Sequence, residues 1–502
     1  MIGRPLVSVV AGAVLAFAIW ASIPRNLDLP WTSIRLAPAF ALAKGLPLYS
    51  TPEQPPWVMV GYGPLYPVGY LPCVIAKHPV TAVAAATLLA HFYVLGPAAL
   101  LCAAFARRLR GDGDAVAVHG SVTFLLFALV THVAPSLTYV TAGVHADAPT
   151  LGLFLLACYG VLRADEAGVR ELPWLIAGGV AAGLSATCKV NLLAGVAALA
   201  VWVFRRWGLK RTLALVAGAA AAAVVVYSWA IARDGFAAVA LNLRQPGRMP
   251  WFTFRELGTL ALTGSSHEFP DKLRAFATFA HSFLIDYGVV GLAILLVLTR
   301  GKAEAAPSAA RAVRFFLLIA LVMVPASVAS IAKYGGDVNS RALVSLPLAL
   351  AAVFALVLAA QRSERLFALA PYAALLGLTA IAALPLGSAP AKWANRNSTT
   401  LAEAYAVISA DPARWYFPYD PLAHLLAEGR FRPNIDVVHS YVTVGSPVNE
   451  SAFRSALPDR LRYVAVPPSV SEWGVSELNR LIPEYMQRDP QLTYAKHIVF
   501  SR

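Results

Sequence analysis

The sequence has few charged residues and few cysteines for its length. Only 14% of its 502 residues are Asp, Glu, Lys or Arg, and 58% are hydrophobic, whereas a soluble domain has about 25% charged residues. This balance excludes an ordinary soluble enzyme and a disordered chain. The four cysteines, all in or beside apolar segments, exclude a disulfide scaffold. No CxxC motif, no Cys/His metal pattern and no internal repeat is present.

The hydrophobic residues lie in long runs, and a helix that crosses a membrane needs about 20 apolar residues. Residues 173–204 form an apolar run broken only by Lys189. At ~1.5 Å per residue this run is too long for one span, so we predict a hairpin with Lys189 at its turn. The sequence predicts eleven spans, near residues 5–24, 80–106, 115–136, 148–162, 173–188, 190–204, 212–232, 277–299, 315–332, 342–360 and 366–386.

The net charge of +14 comes from Lys and Arg clusters between the apolar runs. This placement indicates membrane topology rather than nucleic-acid binding. Clusters such as 107–110 and 205–211 follow every second span, and the positive-inside rule makes these connections cytoplasmic. The N-terminus is then cytoplasmic and the C-terminus is outside the plasma (inner) membrane. The short, proline-rich stretch 63–76 is predicted as a helix or re-entrant piece at the outer surface.

Residues 388–502 are more polar than the rest of the chain. Short strands are predicted at 414–418, 436–439, 463–466 and 497–500, and helices near 420–429, 450–456 and 474–486. Alternating strands and helices predict a small α/β domain with a parallel sheet. The expected fold is thus an all-α polytopic membrane domain, 1–387, followed by an extracytoplasmic α/β domain, 388–502.

Asp28 follows the first predicted span, in the segment Arg25-Asn26-Leu27-Asp28-Leu29-Pro30. A carboxylate at an apolar boundary can be tuned to act as a general base. The alternative is a structural role, either as the cap of a following helix or as the partner of Arg25.

Further motifs give the chain a family resemblance. Asp28 is followed in the same loop by Gly45-Leu46-Pro47-Leu48-Tyr49 and then by Tyr62-Gly63-Pro64-Leu65. In this order the motifs resemble those of the integral-membrane glycosyltransferases of the GT-C fold, among them protein O-mannosyltransferases and lipid A aminoarabinose transferases. His145-Ala146-Asp147-Ala148-Pro149 and Cys188-Lys189-Val190-Asn191 match the same group. Leu29 stands where the O-mannosyltransferases have the second acid of an Asp-Glu pair, which argues against that subfamily.

The resemblance implies transfer of a sugar from a polyprenyl-phosphate donor to an acceptor at the outer face, with Asp28 as the general base. The implied partners are the lipid donor, a lipid, glycan or protein acceptor, and the membrane, with no nucleic acid. No cofactor is predicted, and a divalent metal is left open. Two rival hypotheses are a transporter or lipid flippase, which needs polar sites at the bilayer midplane, and an assembly protein without an activity.

A departing lipid phosphate needs cations to stabilise it. By the predicted topology, five basic residues lie outside and are candidates: Lys189, Lys333, Arg341, Arg244 and Arg248. Snorkelling, interfacial anchoring or a plain polar turn are the alternatives for these residues.

Four other residues are predicted to bind substrate. Tyr62 and His145 belong to the motifs above, and Asp147 either binds a sugar hydroxyl or caps the fourth span. Asp286 lies inside the eighth predicted span, and an intramembrane carboxylate is a functional candidate.

Overall fold

The computed structural model describes residues 3–109, 113–166, 170–251, 307–333, 338–361, 369–468, 472–494 and 496–502. Within these ranges eight helices are long and apolar enough to cross a membrane, or nine if one bent pair of helices counts as a single span. A small sheet of four strands lies near the C-terminus. The predicted class, a polytopic helical membrane protein with a small C-terminal sheet, is confirmed.

The helices of the membrane part are, in chain order, α1 (Gly3–Asp28), α2 (Pro30–Ala43), α3 (Tyr66–Gly69), α4 (Pro79–Arg108), α5 (Gly113–Val133), α6 (Pro135–Ala142), α7 (Asp147–Ala164), α8 (Glu171–Cys188), α9 (Leu193–Trp207), α10 (Leu209–Asp234), α11 (Phe236–Arg248), α12 (Pro307–Ile331), α13 (Ala342–Ala360) and α14 (Ala370–Ala383). Short 3₁₀ turns lie at Leu71–Ile75, Val190–Leu192, Val338–Arg341 and Leu384–Ser388.

Two predicted interruptions of the apolar sequence are confirmed. Lys189 has extended backbone dihedrals between α8 and α9, so the run 173–204 is two helices. The stretch 63–76 forms only α3 and a 3₁₀ turn, because its prolines prevent a long helix. The predicted span at 277–299, which includes Asp286, lies outside the described residues.

One break was not predicted. Proline starts α6 directly after α5, and α6 meets α7 at an angle of 99°. The four residues between the two helices include His145, and Asp147 is the first residue of α7. This bend therefore turns two polar side chains into the protein.

Small residues allow α8 to approach its neighbours closely. A Cβ atom added at Gly183 would overlap the carbonyl oxygen of Ala219 in α10, and one at Gly179 would overlap that of Leu215. Glycines at this spacing are a common device for packing helices in membranes. The packing fixes the end of α8, from which Lys189 projects.

Beyond α14 the elements are short: α15 (Ala389–Ala394), α16 (Thr400–Ala410), β1 (Trp415–Tyr416), α17 (Pro421–Ala427), α18 (Ile435–Thr443), α19 (Glu450–Ser455), β2 (Tyr463–Val466), α20 (Glu472–Leu481), β3 (Gln487–Tyr494) and β4 (His497–Ser501). The strand order is β1-β2-β4-β3, with β1 and β2 parallel and the other pairs antiparallel. The predicted wholly parallel sheet is therefore wrong, because β3 and β4 pair as neighbours in the chain.

The predicted strand at 436–439 is also wrong, since these residues lie in α18. The side chain of Asn434 accepts a hydrogen bond from the backbone N–H of Asp436 at 3.0 Å and caps the helix. Val437, Val438 and Tyr441 then share one buried face. Two adjacent apolar residues with a third one three or four positions later, as in Val437, Val438 and Tyr441, are compatible with a helix as well as with a strand.

The C-terminal elements contact the membrane part directly. The backbone N–H of Leu422 donates to Oγ of Ser33 in α2 at 3.1 Å, and Trp393 stacks on Trp20 at 5.1 Å between ring centroids. A candidate span, Ala370–Ala394, runs across the domain boundary predicted at 387. The division into two domains stays a prediction.

Candidate functional site

A cavity of about 320 Å³ lies where α2, α11, α12 and the turn between α8 and α9 meet α18 of the C-terminal part. Most of the residues that line it are polar or charged. The polar and charged lining residues are Arg35, Tyr62, Lys189, Asn191, Gln245, Ser330, Lys333, Asn339, Ser340, Asp436 and Ser440.

Asp147 is the centre of a buried polar network beside this cavity. Its carboxylate accepts from Nζ of Lys189 at 2.6 Å, from Nδ1 of His145 at 2.5 Å and from Nδ2 of Asn339 at 2.9 Å. A buried carboxylate is tolerated when it is paired and hydrogen-bonded in this way. The network therefore holds Lys189 at the cavity wall in a fixed position.

Tyr62 connects the cavity to that network. Its hydroxyl lies 3.2 Å from Nε2 of His145, whose Nδ1 is bonded to Asp147. Burial raises the pKa of Tyr62, although the positive charges of Arg35 and Lys189 oppose this effect. Tyr62 is thus a neutral phenol, which can donate a hydrogen bond.

Arg35 and Asp436 form an ion pair across the cavity, from α2 to α18. Nη1 of Arg35 lies 2.9 Å from Oδ2 of Asp436, and its guanidinium lies 4.7 Å above the centre of the Tyr62 ring. Burial lowers the pKa of Arg35, but Asp436 and three nearby tyrosines together outweigh this effect, and the net result is a raised pKa. The arginine is therefore charged, and its pair with Asp436 joins the two parts of the chain at the site.

Several buried polar atoms at the cavity have no hydrogen-bond partner among the residues that the structure describes. They are Nε2 and Oε1 of Gln245, Oδ1 of Asn339 and Nε of Arg35. Buried polar atoms in native proteins are nearly always hydrogen-bonded. Three such side chains around one cavity offer hydrogen-bonding groups to a polar ligand.

The structure brings together five of the residues that the sequence predicted: Tyr62, His145, Asp147, Lys189 and Lys333. Nζ of Lys333 lies 4.9 Å from the ring centre of Trp251 and donates to the carbonyl of Pro246 at 3.3 Å. No carboxylate is paired with Lys333 among the described residues.

Four predicted residues belong neither to the cavity lining nor to the network around Asp147. Asp28 ends α1 with 43% of its side chain exposed, and its carboxylate lies 3.5 Å from Nζ of Lys496; its role as a base stays a prediction. Arg244 is exposed, and Arg341 is half-buried at the end of a 3₁₀ turn. Arg248 donates to the carbonyl of Val444 at 2.9 Å. Asp286 lies outside the described residues.

Sequence reasoning missed Arg35, Gln245 and Asp436. Arg35 and Gln245 lie in helices that also contain other polar residues, and Asp436 lies in a segment that was predicted as a strand. The only signal was that Arg35 interrupts the apolar face of α2, most of whose residues are buried.

Across the part of the chain that the structure describes, no three His, Cys, Asp or Glu side chains are placed to hold one metal ion. At Asp147, the imidazole of His145 contacts one carboxylate oxygen, and Nζ of Lys189 contacts the other. Binding of a divalent metal, which the sequence analysis left open, therefore stays open.

An apolar groove of about 680 Å³ lies next to the polar cavity, between α3, α4 and α7. Its walls include Leu65, Val68, Phe92 and Leu153. Cys188 lines the groove and Lys189, the next residue, lines the cavity. The two spaces therefore lie on either side of the end of α8.

No protein-family model matches the sequence, and no curated protein matches it. Among solved structures the chain is similar to ArnT from Cupriavidus metallidurans bound to undecaprenyl phosphate, with a TM-score of 0.45, 14% identity and coverage of 98% of this chain and 97% of that chain. It is also similar to the apo form of the Archaeoglobus fulgidus oligosaccharyltransferase, with a TM-score of 0.44, 13% identity and coverage of 97% and 74%. A third similar structure is the archaeal oligosaccharyltransferase AglB from Archaeoglobus fulgidus in complex with an inhibitory peptide and a dolichol-phosphate, with a TM-score of 0.38 and 13% identity.

Proposed function

We propose that this chain is a membrane glycosyltransferase that moves a sugar from a polyprenyl-phosphate carrier to an acceptor at the extracytoplasmic face. The observation that carries the proposal is the polar, cationic cavity with an apolar groove at its side. A polyprenyl-phosphate sugar has a long apolar tail, an anionic phosphate and a polar sugar, and the two spaces offer each part a matching surface.

Lys333 and Lys189 are the proposed cations for the phosphate. Lys333 has no carboxylate partner among the described residues, whereas Lys189 shares its charge with Asp147. Lys333 therefore stabilises the negative charge that develops on the leaving phosphate, and Lys189 positions the phosphate at the end of the groove.

Gln245, Asn339 and Tyr62 are the proposed sugar-binding side chains. The unsatisfied amide groups of Gln245 and Asn339 match the donor and acceptor character of sugar hydroxyls. The neutral hydroxyl of Tyr62 adds a donor held in place by His145.

Among the described residues that line the cavity, Asp436 is the one carboxylate, and we assign it the role of general base. It takes the proton from the acceptor hydroxyl while the acceptor oxygen attacks the anomeric carbon. The bond from that carbon to the phosphate oxygen breaks, and the lipid phosphate leaves with the electron pair. A single displacement inverts the anomeric centre. Asp28 is the alternative base, and the site of the reaction would then lie nearer the end of α1.

The test is a transfer assay in nanodiscs with a panel of radiolabelled polyprenyl-phosphate sugars and an extract of candidate acceptors. The wild type is compared with Asp436→Asn, Asp28→Asn and Lys333→Met. Loss of a general base is expected to lower the rate about 10²- to 10⁴-fold, so Asp436→Asn should show this loss while Asp28→Asn keeps most of the activity. Lys333→Met should also be strongly impaired.

Binding of the donor separates a chemical defect from a folding defect. Asp436→Asn should still bind the labelled donor, because the phosphate cations are intact. If Asp28→Asn alone is inactive, the base is Asp28 and our assignment of Asp436 is wrong. If the wild type consumes no donor in the presence of any acceptor, the transferase proposal fails and a transporter or lipid flippase becomes the better hypothesis.

A further inference from the structure

A second cavity, of about 470 Å³, lies between the end of α9 and the start of α12. We call it the arginine groove. It is lined by Trp202, Arg205, Arg206, Arg311, Arg314, Leu317, Leu318 and Leu321. None of these residues takes part in the site described above.

The arginine groove lies at the end of the bundle opposite the polar cavity. α12 has Arg314 at the groove and Ser330 at the cavity, which is about 24 Å of helix at ~1.5 Å per residue. α9 runs in the reverse direction, from the 3₁₀ turn with Asn191 beside the cavity to Arg205 at the groove. This separation approaches the ~30 Å of a hydrocarbon core, so the groove faces the other leaflet. The positive-inside prediction makes that leaflet the cytoplasmic one.

The polar part of the groove is strongly positive, with four guanidinium groups and no carboxylate among the described residues that line it. Asp165 stands behind it and accepts from Nε of Arg206 at 2.8 Å and from Nε of Arg311 at 3.2 Å. Each guanidinium has five N–H donors, so both arginines keep donors that Asp165 does not use. Asp165 thus fixes two of the arginines and offsets only one of the four charges.

The other part of the groove is apolar. Leu317 and Leu318 line it, and 69% of Leu321 is exposed. Nε1 of Trp202 is buried without a hydrogen-bond partner among the described residues. An indole N–H is only a donor, so the missing partner is an acceptor such as a phosphate or ester oxygen.

We propose that the arginine groove binds an anionic phospholipid of this leaflet. The phosphate contacts the arginines, an oxygen of the headgroup region accepts from Trp202, and an acyl chain follows the leucines. Basic pockets between helices are known to suit anionic headgroups. A soluble phosphate compound would use the arginines but would leave the exposed leucines uncovered.

Native mass spectrometry of the full chain in detergent tests the proposal. The protein is titrated with phosphatidylglycerol, with phosphatidylcholine of the same acyl chains, and with inorganic phosphate. The site variant is Arg205→Gln/Arg314→Gln, which leaves the bonds to Asp165 intact. The control variant is Arg170→Gln/Lys210→Gln, which removes two exposed charges from the same end of the bundle. Trp202→Phe tests the indole donor.

The wild type is expected to retain one phosphatidylglycerol and to prefer it over phosphatidylcholine. Loss of two arginines should weaken that binding about 30-fold, since each basic residue contributes about 1 kcal/mol. Trp202→Phe should weaken it about fivefold, the effect of one hydrogen bond, and the control variant should bind like the wild type. Melting curves of all variants should coincide.

Four results would overturn the proposal. These are equal retention of both lipids, loss of binding in the control variant as large as in the site variant, no retained lipid in the wild type, and displacement of the lipid by millimolar inorganic phosphate. The last result would assign the arginines to a soluble anion.

Discussion

At the scale of single residues, the ion pair of Asp147 and Lys189 decides the shape of the cavity wall. Both groups come from helix ends: Asp147 begins α7 and Lys189 follows α8. Only 4% of the Asp147 side chain and 13% of the Lys189 side chain are exposed. Removing Asp147 leaves the Lys189 charge buried and unpaired, and removing Lys189 leaves Asp147 with only His145 and Asn339 among the described residues. Loss of one member of a buried ion pair typically costs about 3–5 kcal/mol.

We therefore expect Asp147→Asn and Lys189→Met each to lower the free energy of unfolding by about 3 kcal/mol. The double variant should lose less than the sum of the two, because neither charge is then left alone. Denaturant titration of the four proteins in bicelles measures this coupling. Additive losses would show that the two charges do not interact in the membrane.

At the scale of secondary-structure elements, the motif Tyr62-Gly63-Pro64-Leu65 docks on the end of α8. The backbone N–H of Gly63 donates to the carbonyl of Cys188 at 3.0 Å, and that of Leu65 donates to the carbonyl of Thr187 at 3.3 Å. A Cβ atom at position 63 would overlap the carbonyl of Thr187. Glycine is required here for close approach, and the contact sets Tyr62 beside Lys189.

Gly63→Ala should destabilise the protein by about 1–3 kcal/mol, the usual cost of overpacking, and should also reduce binding of the donor. Gly377→Ala in α14 is the matched control, because no atom lies within 4 Å of an added Cβ there and alanine favours a helix by about 1 kcal/mol over glycine. Thermal unfolding and donor binding compare the two. Equal stability and equal donor binding of the two variants would contradict the docking role of the motif.

The C-terminal elements are tied together by a buried network around Glu428, just after α17. Its carboxylate accepts from Nδ1 of His424 at 2.7 Å and from Nη2 of Arg432 at 2.7 Å. Burial raises the pKa of Glu428, but the hydrogen bonds from His424 and Arg432 outweigh this effect and bring the pKa to about 2. A carboxyl whose pKa is lowered by folding stabilises the fold above its unfolded pKa and loses that effect in acid.

The melting temperature of the wild type should therefore fall as the pH decreases from about 4.5 toward about 2. Glu428→Gln should be less stable at neutral pH, and its melting temperature should depend less on pH over the same range. Scanning calorimetry of both proteins in one detergent measures the two curves. If the melting temperatures of the two proteins depended on pH in the same way, another group would control unfolding in acid.

At the scale of the whole molecule, sequence reasoning located the helices better than the site. Long apolar runs specify spans whatever their neighbours are, and Lys189 stood out because a charge in such a run is rare. Arg35 and Asp436 lie 401 positions apart and meet only when α18 packs over α2. No local pattern encodes that contact. The prediction of the sheet was partly wrong for the same reason, since strand direction is set by pairing rather than by the strand's own residues.

The contact between Arg35 and Asp436 also has a consequence for the timing of synthesis. Tyr62, Asp147 and Lys189 leave the ribosome early and enter the membrane with the first helices. Asp436 follows only after every span described here has been made. With Asp436 as the base, a growing polypeptide can hold its lipid in the groove before it can react with it. Under that proposal, a chain interrupted before residue 436 lacks the group that starts the transfer, so it does not consume the carrier.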